Sequence, residues 1–190
     1  DLAVYGKTDV DGNNVNFNFA DGLKPTSGAG GPSGNDANYI NHHWAETYKD
    51  LKYANTVLSY VDQVSTLDEA TKNAYKGRAY FHRAFRYMGL VFQYGDVPLI
   101  TKILEVPKLN YRSTKKEAIL EMITQDLEFA VQWVPEQKDM TYIGMVNKGA
   151  CRMLLAKCYL ATGQFQKAKE QTDILINQSG YALMKNTFGT

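Results

Sequence analysis

The sequence predicts a mainly α-helical fold of antiparallel helix pairs that follows an irregular, partly β N-terminal segment. From Tyr39 onward, apolar residues recur at spacings of three and four, which is the period of a helix with one buried face. Residues 1–38 lack this period and are rich in Gly, Asn and Asp, which are typical of turns and loops. We therefore divide the chain into an irregular segment at 1–38 and a helical domain at 39–190.

The β character lies within the N-terminal segment. Asp11 and Gly12 form a hairpin turn signal. Val15, Phe17 and Phe19 follow at alternate positions, which is the period of a strand. No sheet is predicted in the rest of the chain.

Five helices are predicted after this segment. The first begins at Tyr39, while residues 66–69 and 114–117 form capping boxes that open the second and the third. The second ends within residues 94–98, where glycine permits a left-handed turn and proline prevents continuation of the helix. Gly163 separates the fourth helix from the fifth. Short connections imply that neighbouring helices are antiparallel.

The second predicted helix has one apolar face and several polar side chains. The apolar face comprises Ala74, Gly77, Phe81, Ala84, Phe85, Met88, Val91 and Phe92. Arg83 and Arg86 share another face and could bond the carbonyl groups of a partner, although solvated or intramolecular ion-pair roles are more common. His82 has no acidic partner on this helix, so we interpret it as a packing or surface side chain.

The fourth and fifth helices carry a repeat signature. Small residues at Ala156 and Ala168 let two helices approach closely, while Tyr159 and Phe165 are expected to fill the space between them. Together with Leu155 and Gly163 these residues resemble the tetratricopeptide consensus. One such pair cannot bury its apolar face alone, so we expect stacked neighbours, with the first and second helices as a degenerate second pair.

Composition and motifs exclude several classes of protein. A net charge of +1 argues against nucleic acid as the main partner. No apolar run approaches membrane-spanning length. Nucleophile elbows, zinc spacings and phosphate loops are missing from the sequence, so we expect no enzyme and no cofactor. Cys151 and Cys158 lie too far apart on one helix to form a disulfide, and we interpret them as small buried hydrophobic residues.

A candidate ligand-binding segment precedes the first helix. Sugar binding requires flat aromatic faces together with Asn, Asp, Arg or His side chains that bond hydroxyl groups. The segment from Asn35 to Trp44 has this composition, and the candidate ligand contacts are Asp36, Asn38, Tyr39, Asn41, His42 and Trp44. The alternative is that Trp44 belongs to the core, which we favour for that residue, and that the asparagines are turn and cap residues.

Metal binding is the weaker interpretation of the same region. His42 and His43 are adjacent and point apart, and no carboxylate at helical spacing supports them. Asp9 resembles the start of a calcium loop, but Ala20 stands where a bidentate glutamate is required. We therefore predict no metal site.

Several segments, in order and spacing, resemble the N-terminal helical half of the SusD/RagB family over most of residues 39–184. They are Trp44-x-x-x-Tyr48, Ala54-Asn55-x-Val57-Leu58, Ala79-Tyr80-Phe81-His82-Arg83-Ala84-Phe85-x-Tyr87, Leu90-Val91-x-x-Tyr94-Gly95-Asp96-Val97-Pro98-Leu99, Arg112-Ser113-Thr114, Ile123-x-x-Asp126-Leu127 and Lys148-Gly149-Ala150. The chain departs from the family at Arg78, where an acidic residue is usual, and at Trp133-Val134-Pro135, where proline normally follows leucine.

The resemblance to this family implies a function, whereas the spacing of the residues indicates only the fold. Members of the family are cell-surface lipoproteins of Bacteroidetes-type bacteria that cover a TonB-dependent SusC-like outer-membrane transporter and pass glycans or other nutrients to it. The helices serve as scaffold and transporter interface, and loops and a C-terminal half complete the ligand site. We accordingly expect an oligosaccharide-binding protein of the outer membrane, whose lipid anchor and C-terminal half are missing from this chain.

Two other classes of function remain open at this point. The first is a tetratricopeptide adaptor that binds a protein or peptide partner, although no carboxylate clamp can be assembled from the residues. The second is a glycan-cleaving enzyme, because any two carboxylates can meet in space.

Overall fold

The computed structural model describes residues 39–181, apart from residues 105, 107, 109 and 143, and it describes side chains from Trp44 onward. These residues form five α-helices and one small antiparallel sheet, which confirms the mainly α-helical fold. The elements are α1 (Tyr39–Tyr60), α2 (Glu69–Tyr94), β1 (Val97–Pro98), β2 (Ser113–Thr114), α3 (Lys116–Trp133), α4 (Lys148–Ala161) and α5 (Phe165–Asn177). The hairpin predicted around Asp11 and Gly12 lies outside the described residues.

The chain divides into two compact units, residues 1–47 and residues 48–190. In the first unit the described part is the beginning of α1. In the second, α2 packs along α3, α3 contacts α4, and α4 contacts α5. Helices α4 and α5 form the antiparallel pair that the repeat signature predicts, with a tight turn at Gly163 between them.

Local signals define the two ends of α2. Asp68 caps its N-terminus, because its Oδ1 atom accepts the backbone N–H of Thr71 at 2.7 Å. The predicted capping box at 66–69 is therefore wrong in register, since an aspartate is the stronger cap near the positive end of the helix dipole. Gly95 has a φ of +75° and donates its N–H to the carbonyl of Val91, which ends the helix as predicted.

The N-terminus of α3 is capped by a residue that is distant in the sequence. Thr114, the predicted cap, instead pairs with Val97 in the small sheet. The sheet brings Asp96 to the start of α3, where its Oδ1 atom accepts the N–H of Lys116 at 3.0 Å and its Oδ2 atom lies 2.8 Å from the Lys115 ammonium. The sequence does not predict this sheet, because strands of two residues are too short to show a period.

Close packing of α2 against α3 forms the centre of the second unit. A Cβ atom on Gly77 would lie 2.8 Å from Cγ2 of Val134 and 3.3 Å from Cα of Ala130, so only glycine permits this approach. The largest fully buried apolar side chains of these helices are Tyr87, Leu90, Ile119, Ile123 and Leu127.

Two aromatic side chains of the predicted α2 face are exposed. The face was expected to bury Phe85 and Phe92, but both are more than half exposed. Successive residues lie about 100° apart around a helix, so α2 turns Ala84 and Val91 inward and leaves the phenylalanines beside them outward.

The two aromatic residues expected to fill the space between α4 and α5 differ in their burial. Tyr159 is buried as expected, whereas Phe165, at the start of α5, lies largely in solvent. Cys151 and Cys158 are fully buried and unpaired with each other, and burial raises the pKa of each thiol to about 12. Both therefore behave as the small hydrophobic residues that were predicted.

Replacing Asp96 with asparagine should lower the free energy of unfolding at neutral pH, because the charge at the start of α3 is lost. The hydrogen bond from Lys115, followed by that from the Lys116 backbone, holds the pKa of Asp96 below its usual range. The carboxylate thus stabilises the fold fully above the unfolded pKa of about 3.9, and this contribution disappears as pH falls through the lower folded pKa.

Thermal unfolding of wild type and Asp96→Asn from about pH 7 to about pH 2 measures this effect. The difference between the two proteins should close at the lowest pH. The exposed Asp139 of the turn before α4 supplies a matched control, Asp139→Asn, which should change little. A difference that is the same at every pH would contradict the cap.

Candidate ligand-binding site

The side chains predicted to contact a ligand lie at the edge of the described part of the chain. They are Asp36, Asn38, Tyr39, Asn41, His42 and Trp44. The first two lie outside the described residues. The backbone of the next three belongs to α1, which begins at Tyr39 as the helical period predicts, so they do not lie in a loop before that helix. Trp44 is half-buried, so it is neither wholly core nor wholly surface.

Residues 97–101, which we call the return segment, follow α2 and lie against α1. The Tyr48 hydroxyl of α1 donates to the carbonyl of Pro98 at 2.8 Å. Nearly two turns further along α1, the Asn55 amide donates to the carbonyl of Ile100 at 2.9 Å. These two bonds supply side-chain donors to backbone carbonyls of the return segment.

The Tyr87 hydroxyl holds the return segment from α2. It accepts the N–H of Ile100 at 2.6 Å and donates to the carbonyl of the same residue at 3.1 Å. Burial raises the pKa of Tyr87 to about 12, and burial also raises the pKa of Tyr48. Both phenols therefore stay protonated and keep donating throughout the range of pH in which proteins usually remain folded.

An ion pair at the centre of this arrangement joins α2 to α3. The Nε and Nη2 atoms of Arg83 each lie 2.7 Å from a carboxylate oxygen of Asp126, and both side chains are about nine-tenths buried. The remaining terminal nitrogen donates to the Asn55 side chain and to the carbonyl of Thr101, both at 3.3 Å. Burial raises the pKa of Asp126, while the hydrogen bonds from Arg83 oppose that shift.

This network explains why several residues of the family resemblance occur together. Asn55, Asp126 and the Arg83–Tyr87 pair of α2 come from three separate parts of the sequence, yet each takes part in the same set of hydrogen bonds. Of the roles considered for Arg83, the intramolecular ion pair is confirmed. The polar groups of these side chains are engaged in hydrogen bonds within the protein, so we assign them a structural role and do not count them as ligand contacts.

The connection that follows the return segment forms an open cavity of about 520 Å³. Among its described residues, the polar and aromatic lining consists of Thr101, Lys102, Lys108, Asn110, Tyr111 and Arg112. The ammonium of Lys108 lies 5.4 Å from the centre of the Tyr111 ring. One ring with several donors beside it suits a ligand rich in hydroxyl groups.

Sequence reasoning missed this cavity, since it treated residues 95–112 only as a long connection. The available signal was the run of Asn110, Tyr111 and Arg112 inside a loop longer than most. The run combines the same residue types that singled out the segment before Trp44.

Within residues 44–181 as described, no three His, Cys, Asp or Glu side chains lie close enough to hold a metal ion. None of the helices in the described part of the chain has the length and apolar character needed to span a membrane.

Comparisons with known proteins agree on one family. The model of the SusD-like family, described as starch-binding and associating with the outer membrane, matches residues 10–160. SusD-like protein P2 of Formosa agariphila is 32% identical over 146 residues, which are 76% of this chain but 28% of that protein.

Solved structures give the same result. A laminarin-binding SusD-like protein superimposes with a TM-score of 0.68 at 28% identity, covering 76% of this chain and 32% of that one. A structure with xylogluco-oligosaccharide gives a TM-score of 0.70 at 26% identity, with coverages of 77% and 31%. The chain therefore spans less than a third of the length of these relatives.

Asp126→Ala should lower the free energy of unfolding by about 3–5 kcal/mol, because it leaves the Arg83 guanidinium buried without its partner. The double variant Arg83→Met/Asp126→Leu should recover much of that loss, since apolar side chains of similar size replace both charges. Urea denaturation monitored by circular dichroism measures both.

A second ion pair provides the control. Arg86 and Asp50 lie 2.6 Å apart with about a third of each side chain exposed. Asp50→Ala should therefore cost less than about 1 kcal/mol. An equal loss for Asp50→Ala and Asp126→Ala would show that the buried pair has no special role.

Proposed function

The chain belongs to the SusD-like family, and we propose that it acts as a cell-surface glycan-binding protein that delivers oligosaccharide to a TonB-dependent SusC-like transporter. The proposal is carried by the family match over residues 10–160, because that family is described as starch-binding and associating with the outer membrane. Likeness to a laminarin-binding protein and to a structure with xylogluco-oligosaccharide supports the choice of a glycan.

Binding without catalysis fits the side chains available for it. In this proposal Tyr39 and Trp44 stack on the C–H faces of sugar rings, while Asp36, Asn38, Asn41 and His42 bond hydroxyl groups. The protein is held at the outer surface by a lipid anchor, and the transporter is its membrane partner. Neither role requires a cofactor.

The connection cavity is proposed to extend the same function. Tyr111 supplies an aromatic ring, and Lys108, Asn110 and Arg112 supply donors around it. The polar network fixes the return segment at the base of this cavity, so the loop begins from a rigid position. A site on a rigid base loses less conformational entropy when the ligand binds.

Trp44→Ala should weaken glycan binding roughly tenfold or more, because one flat aromatic face is lost from the site. Isothermal titration calorimetry against a panel that includes laminarin and xyloglucan oligosaccharides measures the change. Tyr142→Ala, which alters an exposed aromatic residue of the loop before α4, serves as the control and should bind as wild type does.

Two results would count against these proposals separately. If Trp44→Ala binds glycan with unchanged affinity, Trp44 is not a ligand contact, and the proposed glycan-binding function is unaffected. Binding of peptides together with no binding of any glycan on the panel would overturn the function itself.

A further inference from the structure

A second concave surface lies between α1 and α2. We call it the α1–α2 groove and define it by Asp50, Tyr53, Tyr75, Arg78, His82 and Arg86, which enclose about 390 Å³. None of these residues is a candidate contact in the segment before Trp44 or in the connection cavity. We infer that the groove is a second carbohydrate site, which takes one or two sugar rings; the ligand class rests on the proposed function.

Two tyrosines from different helices line the groove. Tyr53 of α1 is 59% exposed and Tyr75 of α2 is 45% exposed. A tyrosine combines an apolar ring with a polar hydroxyl, which suits the mixed C–H and O–H surface of a sugar. The groove floor contains Ala54 and Ala79, whose small side chains leave room for a ring to approach the helices.

Charged groups of opposite sign join the two sides of the groove. Asp50 of α1 and Arg86 of α2 form an ion pair, with 2.6 Å between Nη2 and Oδ2. A carboxylate and a guanidinium together have more acceptors and donors than this one contact uses, so neighbouring hydroxyl groups of a sugar can bond to both.

The other polar side chains of the groove are held in place or neutral. Arg78 donates its Nε–H to the carbonyl of Val146 at 3.4 Å, which anchors the side chain at the wall. Burial, followed by the nearby charge of Arg86, lowers the pKa of His82. The imidazole therefore offers one donor and one acceptor near neutral pH.

The same polarity argues against an apolar helix as the occupant. Covering the Asp50–Arg86 pair with apolar side chains would strip its water without replacing the hydrogen bonds, which is costly for an ion pair. Sugar hydroxyls replace that water directly. The volume lies near the lower end of the range of about 300–1,000 Å³ for small-molecule sites, so a short stretch of glycan fits better than a long one.

Charge further narrows the ligand class. Two arginines and one aspartate give the groove a small positive balance, which is insufficient for strong attraction of nucleic acid. With one carboxylate and one histidine, it also lacks the ligand set of a metal site. A neutral or weakly acidic saccharide is the remaining class that uses both the rings and the ion pair.

The test is a ¹H–¹⁵N NMR titration of the chain with laminari-oligosaccharide and with xylogluco-oligosaccharide. Saturable shifts are expected at the amides of the groove, and they should persist in Trp44→Ala. The double variant Tyr53→Ala/Tyr75→Ala should weaken this binding event roughly tenfold. Tyr60→Ala is the matched control, because Tyr60 lies on α1 with 53% exposure and does not line the groove.

The outcomes separate the inference from the proposed function. Shifts confined to residues outside the groove would overturn the inference alone. The absence of shifts anywhere with either oligosaccharide would also overturn the inference, while the proposed function is decided by the calorimetry panel of glycans and peptides. Groove amides that respond only to the detergent-solubilised transporter would identify a protein interface, and that result would also overturn the inference.

Discussion

The buried ion pair between Arg83 and Asp126 is the interaction on which the described helices depend. It fastens α2 to α3, and the same guanidinium bonds to Asn55 of α1 and to the carbonyl of Thr101. A buried charge pair of this kind contributes little net stability over apolar packing, but it is costly to break. Its value here is geometric, because one side chain sets the relative positions of elements that packing alone would allow to slide.

Further contacts follow from that position. Once the return segment is fixed against α1 and α2, β1 lies where it can pair with β2. The pairing brings Asp96 to the N-terminus of α3, whose own sequence supplies no side-chain cap. The residue that follows the end of α2 thus caps the start of α3, and the connection between the two helices begins and ends at fixed positions beside its cavity.

The sequence predicted most of what depends on near neighbours, although the capping box at 66–69 has the wrong register. Helical period placed all five helices of the described region, and Gly95 ended α2 as expected. The sequence could not predict the cap at Asp96, because this residue lies 20 residues from the helix that it caps. Nor could it predict the exposure of Phe85, which depends on how α2 is rotated against α3. The ligand contacts suggested by composition remain predictions, since composition indicates what a segment can bind and tertiary contacts decide where it lies.

Burial of Cys151 and Cys158 has a practical consequence. These are the only two cysteines of the chain, and a thiol with a pKa near 12 in a packed core is inert to disulfide exchange and to alkylation. A cysteine introduced on the surface would therefore be the single reactive thiol of the folded protein. Fluorophores or spin labels can be attached at one chosen position while the native cysteines stay in place.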